Sequence, residues 1–349
     1  MKTVKDFNFK GKKVLLRLDL NVPLSEKGDV LDDFRITQSI PTIQYLISQK
    51  AKVILMSHLG RPDGKIVEEL KMDVISERLS DFLGFEVEKT NDILGKDAKE
   101  KSDNLKEGEV LLLENLRFDA REEDGNLEFA KELSLLGEIY INDAFGTCHR
   151  DHASISGVPQ FLESGAGLLL EKEISSLERV LKNSLKPLVV LMGGSKVETK
   201  VDLISNFLEK ANFVLLGELI EKELKEKGIE LPFPEKLIFP VDSEGGGLDI
   251  GEETIKIFKE KISLAKTIFF NGVMGRVEEP PFDNGTREIL KAISESSAFS
   301  VVGGGDMTEL IKKMGLIESF GHVSTGGGAM MSFLSGKELP GLKVLGYGN

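Results

Sequence analysis

Two stretches of the chain decide its fold class: LLENLRF at residues 112–118 and INDAFGTCHRDHAS at residues 141–154. In each, a short apolar run of strand length leads into a polar segment that carries an arginine, Arg117 in the first and Arg150 in the second. Arg61 in SHLGRP and Arg35 in LDDFRI follow the same pattern earlier in the chain. A guanidinium group meets phosphate or carboxylate oxygens bidentately. Arginines beyond strand ends, in a chain of formal net charge −13, therefore predict a site for a small, highly charged anion.

The same alternation continues outward from these stretches. Strand-length apolar runs are separated by amphipathic segments, such as the one in which Ile255, Phe258 and Ile262 share a helical face. Continuous apolar strands separated by helices predict an α/β fold of parallel sheets covered on both faces. The predicted strands lie at residues 14–18, 53–56, 110–113, 139–141, 188–192, 213–216, 237–239, 267–270 and 299–302.

The length of 349 residues favours two domains over a single core. We expect two doubly wound parallel-sheet (Rossmann-like) domains, because both halves of the chain show the same alternation. A stretch of small residues followed by one long helical pattern, ending before Pro187, marks the boundary. The predicted parts are an N-terminal domain at 1–165, a connecting helix at 166–185, a C-terminal domain at 186–335 and a tail at 336–349 that packs back toward the N-terminal domain.

Composition narrows the class of protein. A pI near 5.1 argues against a nucleic-acid partner, since a phosphate-binding face is normally basic. The single cysteine, Cys148, cannot form an intrachain disulfide. The opening residues MKTVKDFNFKGKKV lack the apolar core of a signal peptide, and no apolar run is long enough to span a membrane. We therefore expect a cytoplasmic protein without a membrane partner.

Chemistry-bearing residues concentrate where strands end. In open parallel sheets, ligands lie beyond the carboxyl ends of the strands. In the first half these positions hold Asp19, Asn21, His58, Arg61, Arg117, Asn142, Asp143 and Arg150. In the second half they hold Gly193, Gly194, Lys196, Asn271, residues 303–306 and residues 326–328. The first set is cationic and the second rich in glycine, which indicates two different anionic ligands.

Three glycine-containing motifs belong to the second half. VVGGGDMTELIKKMG (301–315) and STGGGAMMSFL (324–334) each take a strand through glycines into a helix, whose N-terminus favours an anion. The first is also compatible with a tight strand-to-helix turn in which Asp306 is only a cap, and the second with three glycines that permit close helix packing. In GGSKVETK (193–200), Lys196 and Lys200 lie four residues apart and share a helical face, which favours a phosphate between them over a solvated surface.

Other candidate residues have plainer explanations. His58 alone is more typical of a packed or capping histidine than of a catalyst. A thiolate role for Cys148 is disfavoured, because no Asp–His partner arrangement is identifiable. Asp143 is better suited to brace an arginine than to act as a base. The chain contains neither a GxxxxGK[ST] loop nor a strand followed by GxGxxG, which disfavours those two kinds of nucleotide site.

Taken together, the motifs resemble those of the phosphoglycerate kinase family. The resemblance covers nearly the whole chain and keeps the family's order. It runs through RLDLNVPL, LDDFRI, SHLGRP, LLENLRF, NDAFGTCHRDHAS, GLLLEKEI, GGSKVETKV, LDIGEETI, FNGVMGRVE, GTREI, GGGDM, HVSTGGGA and GKELPG. It implies two α/β domains joined by a helix, with an active-site cleft that closes about a hinge. It also implies a monomer whose reaction converts 1,3-bisphosphoglycerate and MgADP reversibly into 3-phosphoglycerate and MgATP.

The resemblance assigns roles to residues by position. The phosphoglycerate would be bound by Asp19, Asn21, Arg35, His58, Arg61, Arg117 and Arg150. The nucleotide would be bound by Lys196, Lys200, Gly247, Asn271, Glu278, Gly304, Gly305, Asp306 and Met307, and Asp306 would hold the Mg²⁺ that accompanies it. The moving phosphoryl group would be stabilised by Arg35, Lys200, Gly327 and Gly328.

The chain departs from the family pattern at four places, all on the nucleotide side. Met307 stands where family members usually have Thr or Ser. Glu218 and Leu219 follow Gly217 where a glycine-rich stretch is usual, near the expected position of the base. Val273 replaces the usual proline, and the segment after Gly228 is shortened, with a helix and loop missing. These departures leave the nucleotide preference and affinity open.

The sequence is also compatible with two alternatives to an active kinase. One is a non-catalytic homologue that holds phosphoglycerate but has an altered nucleotide site. The other is an enzyme of a different class, such as a nicotinamide-dependent dehydrogenase, which the missing glycine fingerprint disfavours.

Overall fold

Parallel strands alternate along the chain with the helices that cover them. The structure is a computed structural model, which describes residues 1–195 and 197–348. The chain divides into two compact units. The first comprises Met1–Lys172 and Glu338–Asn349, and the second comprises Glu173–Lys337. The division falls inside a helix, Leu168–Leu181, which occupies most of the range in which the sequence predicts a connecting helix.

The first unit is built on a parallel sheet of six strands, in the order β3-β4-β2-β1-β5-β6. The central strands are almost wholly buried, because their side chains are apolar on both faces. The strands are β1 Lys13–Arg17, β2 Lys52–Met56, β3 Glu88–Lys89, β4 Val110–Leu112, β5 Ile139–Asn142 and β6 Glu163–Ala166. The helices are α1 Phe34–Ser48, α2 Asp73–Leu83, α3 Lys96–Asn104, α4 Ala120–Glu123, α5 Leu127–Ser134 and, near the C-terminus, α13 Pro340–Lys343.

The second unit is built on another parallel sheet of six strands, in the order β14-β13-β12-β7-β8-β9. A separate antiparallel pair, β10 Ser243–Glu244 with β11 Asp249–Ile250, lies between β9 and β12 in the chain. The sheet strands are β7 Leu188–Met192, β8 Phe213–Leu216, β9 Leu237–Ile238, β12 Thr267–Asn271, β13 Phe299–Gly303 and β14 His322–Ser324. The helices after α6 Leu168–Leu181 are α7 Val201–Lys210, α8 Glu218–Lys227, α9 Glu252–Leu264, α10 Asn284–Ser294, α11 Gly305–Lys313 and α12 Gly328–Leu334.

The predicted fold class is confirmed. Each of the nine predicted strands is present, with ends within about one residue of those expected from periodicity. The strands that periodicity missed are short or lack apolar residues, as in Glu88–Lys89 and the ESGA of Glu163–Ala166. Within the described parts of the chain, every helix is too short or too polar to cross a bilayer.

Candidate active site

Asp19 and Asn21 follow β1 and hold Arg35 in place. The Arg35 Nη1 group donates to Asp19 Oδ1 at 3.2 Å and to the Asn21 carbonyl at 2.8 Å. The Asn21 side chain in turn accepts the Gly60 N–H at 2.8 Å, which ties the loop after β1 to the loop after β2. About a third of the Arg35 side chain (34%) stays exposed. The guanidinium is therefore oriented from one side and accessible from the other.

Arg117 lies beyond β4 and is fixed in a similar way. Its Nη1 donates to the Gly60 carbonyl at 2.8 Å, and its Nε lies 3.2 Å from Glu123 Oε1. Asn115 shapes the turn that presents it, by accepting the N–H groups of both Leu59 and Arg117. Burial lowers the pKa of Arg117, but a guanidinium that starts at 12.5 stays charged at neutral pH.

His58 is buried and uncharged. Burial, followed by the positive charge of Arg17, holds its pKa well below the ordinary value. Arg17 Nη2 lies 3.3 Å from His58 Nδ1. Because a guanidinium has only donors, Nδ1 must be the acceptor in this contact, and the ring proton then lies on Nε2. The imidazole is thus prepared to donate a hydrogen bond to an anion rather than to take up a proton.

A buried ionic network beneath these residues was not foreseen from the sequence. Arg17 and Glu122 are both fully buried, and Ser154 lies between them. Arg17 Nε donates to Ser154 Oγ at 2.7 Å, and Ser154 Oγ donates to Glu122 Oε1 at 2.6 Å. The backbone N–H of Ser154 donates to Glu122 Oε2 at 2.9 Å. The available signal was an arginine at the end of an otherwise apolar strand, in VLLR.

The remaining candidates of the first unit surround this core. Arg61 is exposed, and Arg150 is partly exposed. Asp143 accepts the N–H of Leu170 in the first turn of α6 at 3.0 Å, so at least one of its oxygens serves the helix rather than an arginine. Burial raises the pKa of the Cys148 thiol to about 12, which agrees with the view that it is not a nucleophile.

In the second unit, glycines line the carboxyl edge of the sheet. Gly193 and Gly272 approach so closely that a Cβ on Gly272 would lie 2.3 Å from the Gly193 carbonyl oxygen. Gly304 has φ +131°, a conformation that side chains rarely allow. Asn271 Nδ2 donates to the Gly303 carbonyl at 2.8 Å, which joins the ends of β12 and β13. Gly194, Gly304 and Gly305 are at least partly exposed, so their backbone is accessible along this edge, as an anion site requires.

Lys200 lies at this edge, immediately before α7. Its ammonium group donates to the carbonyls of Gly193 and Ser195, and burial lowers its pKa to about 8. The sequence predicts that Lys196 and Lys200 share a helical face, but α7 begins only at Val201. The expectation that Lys200 lies within a helix is therefore wrong, because Lys200 lies between a 3-10 turn, Val197–Thr199, and the start of α7. Lys196 lies outside the described residues.

Asp306 and Met307 both lie in the first turn of α11, but their side chains point in different directions. Asp306 is exposed, whereas the Met307 side chain is fully buried. Met307 can therefore offer a ligand only its backbone. The next residue, Thr308, turns its hydroxyl back to the Gly304 carbonyl at 2.9 Å, so it does not replace the hydroxyl that Met307 lacks.

The residues expected near the base lie beyond β8 and in the β10–β11 turn. A Cβ on Gly247 would lie 3.2 Å from Glu218 Oε1, so the Glu218 side chain faces this turn. Leu219 is 44% exposed. Glu278, expected near the ribose, is exposed as well.

A family model described as phosphoglycerate kinase matches residues 4–232 and 235–337. The chain belongs to the phosphoglycerate kinase family. The phosphoglycerate kinase of Dictyoglomus turgidum is 42% identical over 98% of this chain and 97% of its own length. That of Pelotomaculum thermopropionicum is 42% identical over 99% and 98%. Among solved structures, the phosphoglycerate kinase of Pyrococcus horikoshii OT3 aligns with a TM-score of 0.89 and 35% identity, covering 99% of this chain and 98% of that one.

The comparison with the kinases also bears on the shortened segment. The alignment with the Dictyoglomus turgidum enzyme spans 387 positions, whereas this chain has 349 residues, so segments of that relative are missing here. The family match is interrupted at residues 233 and 234, after Gly228. Phe233 has a left-handed backbone (φ 55°). A short turn connects it directly to the two-residue strand β9.

One further residue of this phosphoglycerate kinase chain escaped prediction. Glu173 in α6 is fully buried and accepts the N–H of Thr325 at 2.7 Å. Its other carboxylate oxygen lies 2.8 Å from His322 Nε2 and accepts the Ser324 hydroxyl at 2.8 Å. Glu173 therefore holds the segment that leads into Gly326, Gly327 and Gly328. The sequence signal was a glutamate among the apolar residues of GLLLEKEI.

Proposed function

We propose that the arginine-rich edge of the first sheet binds phosphoglycerate and that the glycine-rich edge of the second sheet binds the nucleotide. The chain is a phosphotransferase with a carboxyl group as acceptor, and its reaction interconverts 1,3-bisphosphoglycerate and ADP with 3-phosphoglycerate and ATP. The observation that carries the assignment is the way Arg35 and Arg117 are held. Each Nη1 group binds a backbone carbonyl, at Asn21 and Gly60, and Nε of Arg117 faces Glu123, so the Nη2 group of each fork can serve a ligand.

For the phosphoglycerate, the first unit supplies donors of two kinds. Arg35, Arg61, Arg117 and Arg150 supply positive charge, and neutral His58 supplies its Nε2 proton. Asp19 and Asn21 position Arg35 and contribute polar contacts of their own. A ligand with a phosphate at one end and a carboxylate or acyl phosphate at the other matches this set of donors.

The chemistry requires no general base. The acceptor is a carboxylate, which is already ionised at neutral pH, and the depressed pKa of His58 makes it a poor base. Catalysis then consists of aligning the two reactants and neutralising the charge on the moving phosphoryl group. We assign that neutralisation to Arg35, Lys200 and the backbone N–H groups of Gly327 and Gly328.

Lys200 has to change partners during this reaction. Its ammonium group is bound to the carbonyls of Gly193 and Ser195, which a phosphate oxygen can replace. The exchange is favourable, because a charge-assisted hydrogen bond to an anion is stronger than one to a neutral carbonyl. Lys196 is assigned to the nucleotide phosphates by its position in the sequence alone.

The residues of this edge are suited to hold Mg²⁺ together with the nucleotide, rather than alone. Among the described residues, no group of three or more His, Cys, Asp or Glu side chains could hold a metal ion on its own. Mg²⁺ is commonly held by one or two carboxylates together with substrate phosphates and water. We assign that carboxylate to Asp306, which is exposed in the first turn of α11. When bound, the ion neutralises charge on the phosphates.

The rest of the nucleotide is assigned to the same edge. The backbone of Gly304, Gly305 and Met307 would lie along the phosphates. Gly247 would flank the base and Glu278 would meet the ribose. Asn271 would support this arrangement by holding the Gly303 carbonyl.

A coupled assay of ATP formation from 1,3-bisphosphoglycerate and MgADP tests the proposal. We expect turnover in the wild type and a loss of most of it in Asp306→Asn, because the metal loses its carboxylate. Calorimetry with MgADP separates the kinase from the non-catalytic alternative, which the relatives do not support. The proposal would be refuted if neither turnover nor saturable binding were detected with any Mg²⁺-bound nucleoside diphosphate at millimolar concentration. A cytosolic location and a monomeric state are further proposals that accompany it.

A further inference from the structure

The Glu218 carboxylate lies where the nucleotide base is expected. A Cβ on Gly247, in the turn between β10 and β11, would lie 3.2 Å from Glu218 Oε1. Gly217, which precedes Glu218, lies against the glycine edge of the sheet, since its own Cβ would be 3.3 Å from the Gly193 Cα. Glu218 thus lies between the glycine edge assigned to the phosphates and the turn assigned to the base.

The position of Glu218 is not explained by the needs of its helix. A carboxylate in the first turn of α8 interacts favourably with the helix dipole. Glu221 already supplies such a carboxylate, which also pairs with Lys225. Burial, followed by the negative charge of Glu221, raises the pKa of Glu218, so the local environment disfavours its charge. Ser243 in β10 supplies one hydrogen bond that favours the charged form of Glu218, and further hydrogen-bond donors would stabilise this partly buried carboxylate more.

We infer that Glu218 selects the base of the nucleotide and makes guanine nucleotides the preferred substrates over adenine nucleotides. The inference rests on the proposed function, since it concerns the same nucleotide site. An ionised carboxylate has only acceptors. Guanine presents two neighbouring donors, N1–H and the N2 amino group, and can satisfy both oxygens. Adenine presents the N6 amino group beside N1, whose lone pair would face the second oxygen.

The comparison of kcat/KM for GDP, ADP and IDP in the coupled assay tests this inference. We expect the wild type to prefer GDP over ADP by about tenfold or more, the range of a good bidentate base contact. IDP should lie between them, because it keeps the N1–H group but lacks the amino group. In Glu218→Ala the preference should largely disappear, since the acceptors are gone.

Glu218→Gln supplies the sharpest contrast. It preserves the shape of the side chain but pairs one acceptor with one donor, which matches adenine better than guanine. We therefore expect the GDP/ADP ratio to fall below that of Glu218→Ala. Glu226→Gln, on the exposed part of the same helix, is the matched control and should keep the wild-type ratio.

The outcomes distinguish this inference from the proposed function. Equal or better use of ADP by the wild type, or an unchanged ratio in Glu218→Gln, would overturn the inference and leave the kinase assignment intact. Absence of turnover with every nucleotide would count against the proposed function instead. In that case calorimetry with GDP and ADP still decides the inference, because base selection is then read from the two dissociation constants.

Discussion

The carboxylate of Glu173 accepts two hydrogen bonds from Thr325, one from its backbone N–H at 2.7 Å and one from its hydroxyl at 2.8 Å. Both residues are buried, and Thr325 directly precedes the glycines assigned to the moving phosphoryl group. The opposite oxygen of Glu173 lies 2.8 Å from His322 Nε2. A single carboxylate in α6 therefore fixes the end of β14 and the start of the loop that follows it.

Glu173→Gln should lower both stability and turnover. The variant keeps the shape but replaces an acceptor by a donor that faces the N–H of Thr325 or His322. Breaking a buried pair from one side costs about 3–5 kcal/mol, and we expect a loss toward the lower end because the substitution is isosteric. Urea unfolding and kcat measure the two effects. Glu171→Gln, whose carboxylate forms an exposed pair with Lys5, should change neither; equal effects in the two variants would contradict the assignment.

Arg35→Ala and Lys200→Ala should each abolish most turnover while the fold is preserved. A single well-placed cation in phosphoryl transfer is worth about 10³ to 10⁵ in rate. Both side chains meet the reacting group in our assignment, so the loss should appear in kcat rather than in KM alone. Lys222→Ala, which removes an exposed lysine of α8, is the control. Near-normal rates in both active-site variants would refute their assigned roles.

The buried position of Lys200 predicts a pH dependence. Burial lowers its pKa to about 8, so in the free enzyme the ammonium group loses its proton as the pH rises through that value. Because only the charged form can neutralise phosphate, kcat/KM should fall above about pH 8. Lys200→Arg stays charged at every accessible pH and should lack this limb, although its rate is lower. A profile that is unchanged in Lys200→Arg would assign the limb to another group.

The sequence predicts the two sheets because hydrophobic periodicity is a local signal. It also places His58 and Arg117 at one edge, since parallel strands end on the same side. The expectation that Arg35 follows a strand in the same way is wrong, because Arg35 lies in the first turn of α1. The buried partners of these residues were missed. Glu122 and Glu173 lie in helices far along the chain from Arg17 and Thr325, and a single sequence does not report which distant charges meet. The burial of Met307 escaped for a different reason, because a residue in the first turn of a helix can face either the core or the solvent.

Asp249 should make the stability of the second unit depend on pH. This carboxyl is 2% exposed, and burial raises its pKa from 3.8 to about 6. A raised pKa means that the folded state binds the proton more tightly. The contribution of this group to stability is therefore complete below about pH 3.8 and is lost as the pH rises through 6. In urea unfolding, the free energy of unfolding of the wild type relative to that of Asp249→Asn should increase by about 2–3 kcal/mol when the pH is lowered from 7.5 to 4.

A surface carboxylate provides the control for that experiment. Asp29 is exposed in the loop after β1. The difference between the wild type and Asp29→Asn should stay nearly constant over the same pH range. A difference for Asp249→Asn that is equally flat would show that its carboxyl titrates normally.

The contact between Gly341 and Cys148 gives a last prediction, on the C-terminal segment of the first unit. The Gly341 N–H donates to the Cys148 carbonyl at 3.0 Å, and a Cβ on Gly341 would lie 2.7 Å from a methyl carbon of Ile155. Gly341→Ala should therefore overpack this contact, at about 1–3 kcal/mol. Cys148 is the only cysteine and is fully buried, so a thiol reagent reports the opening of this segment. Labelling should be roughly 5- to 100-fold faster in Gly341→Ala. Lys343→Ala, an exposed change in the same helix, should label at the wild-type rate, and equal rates in all three proteins would mean that the segment does not cover Cys148.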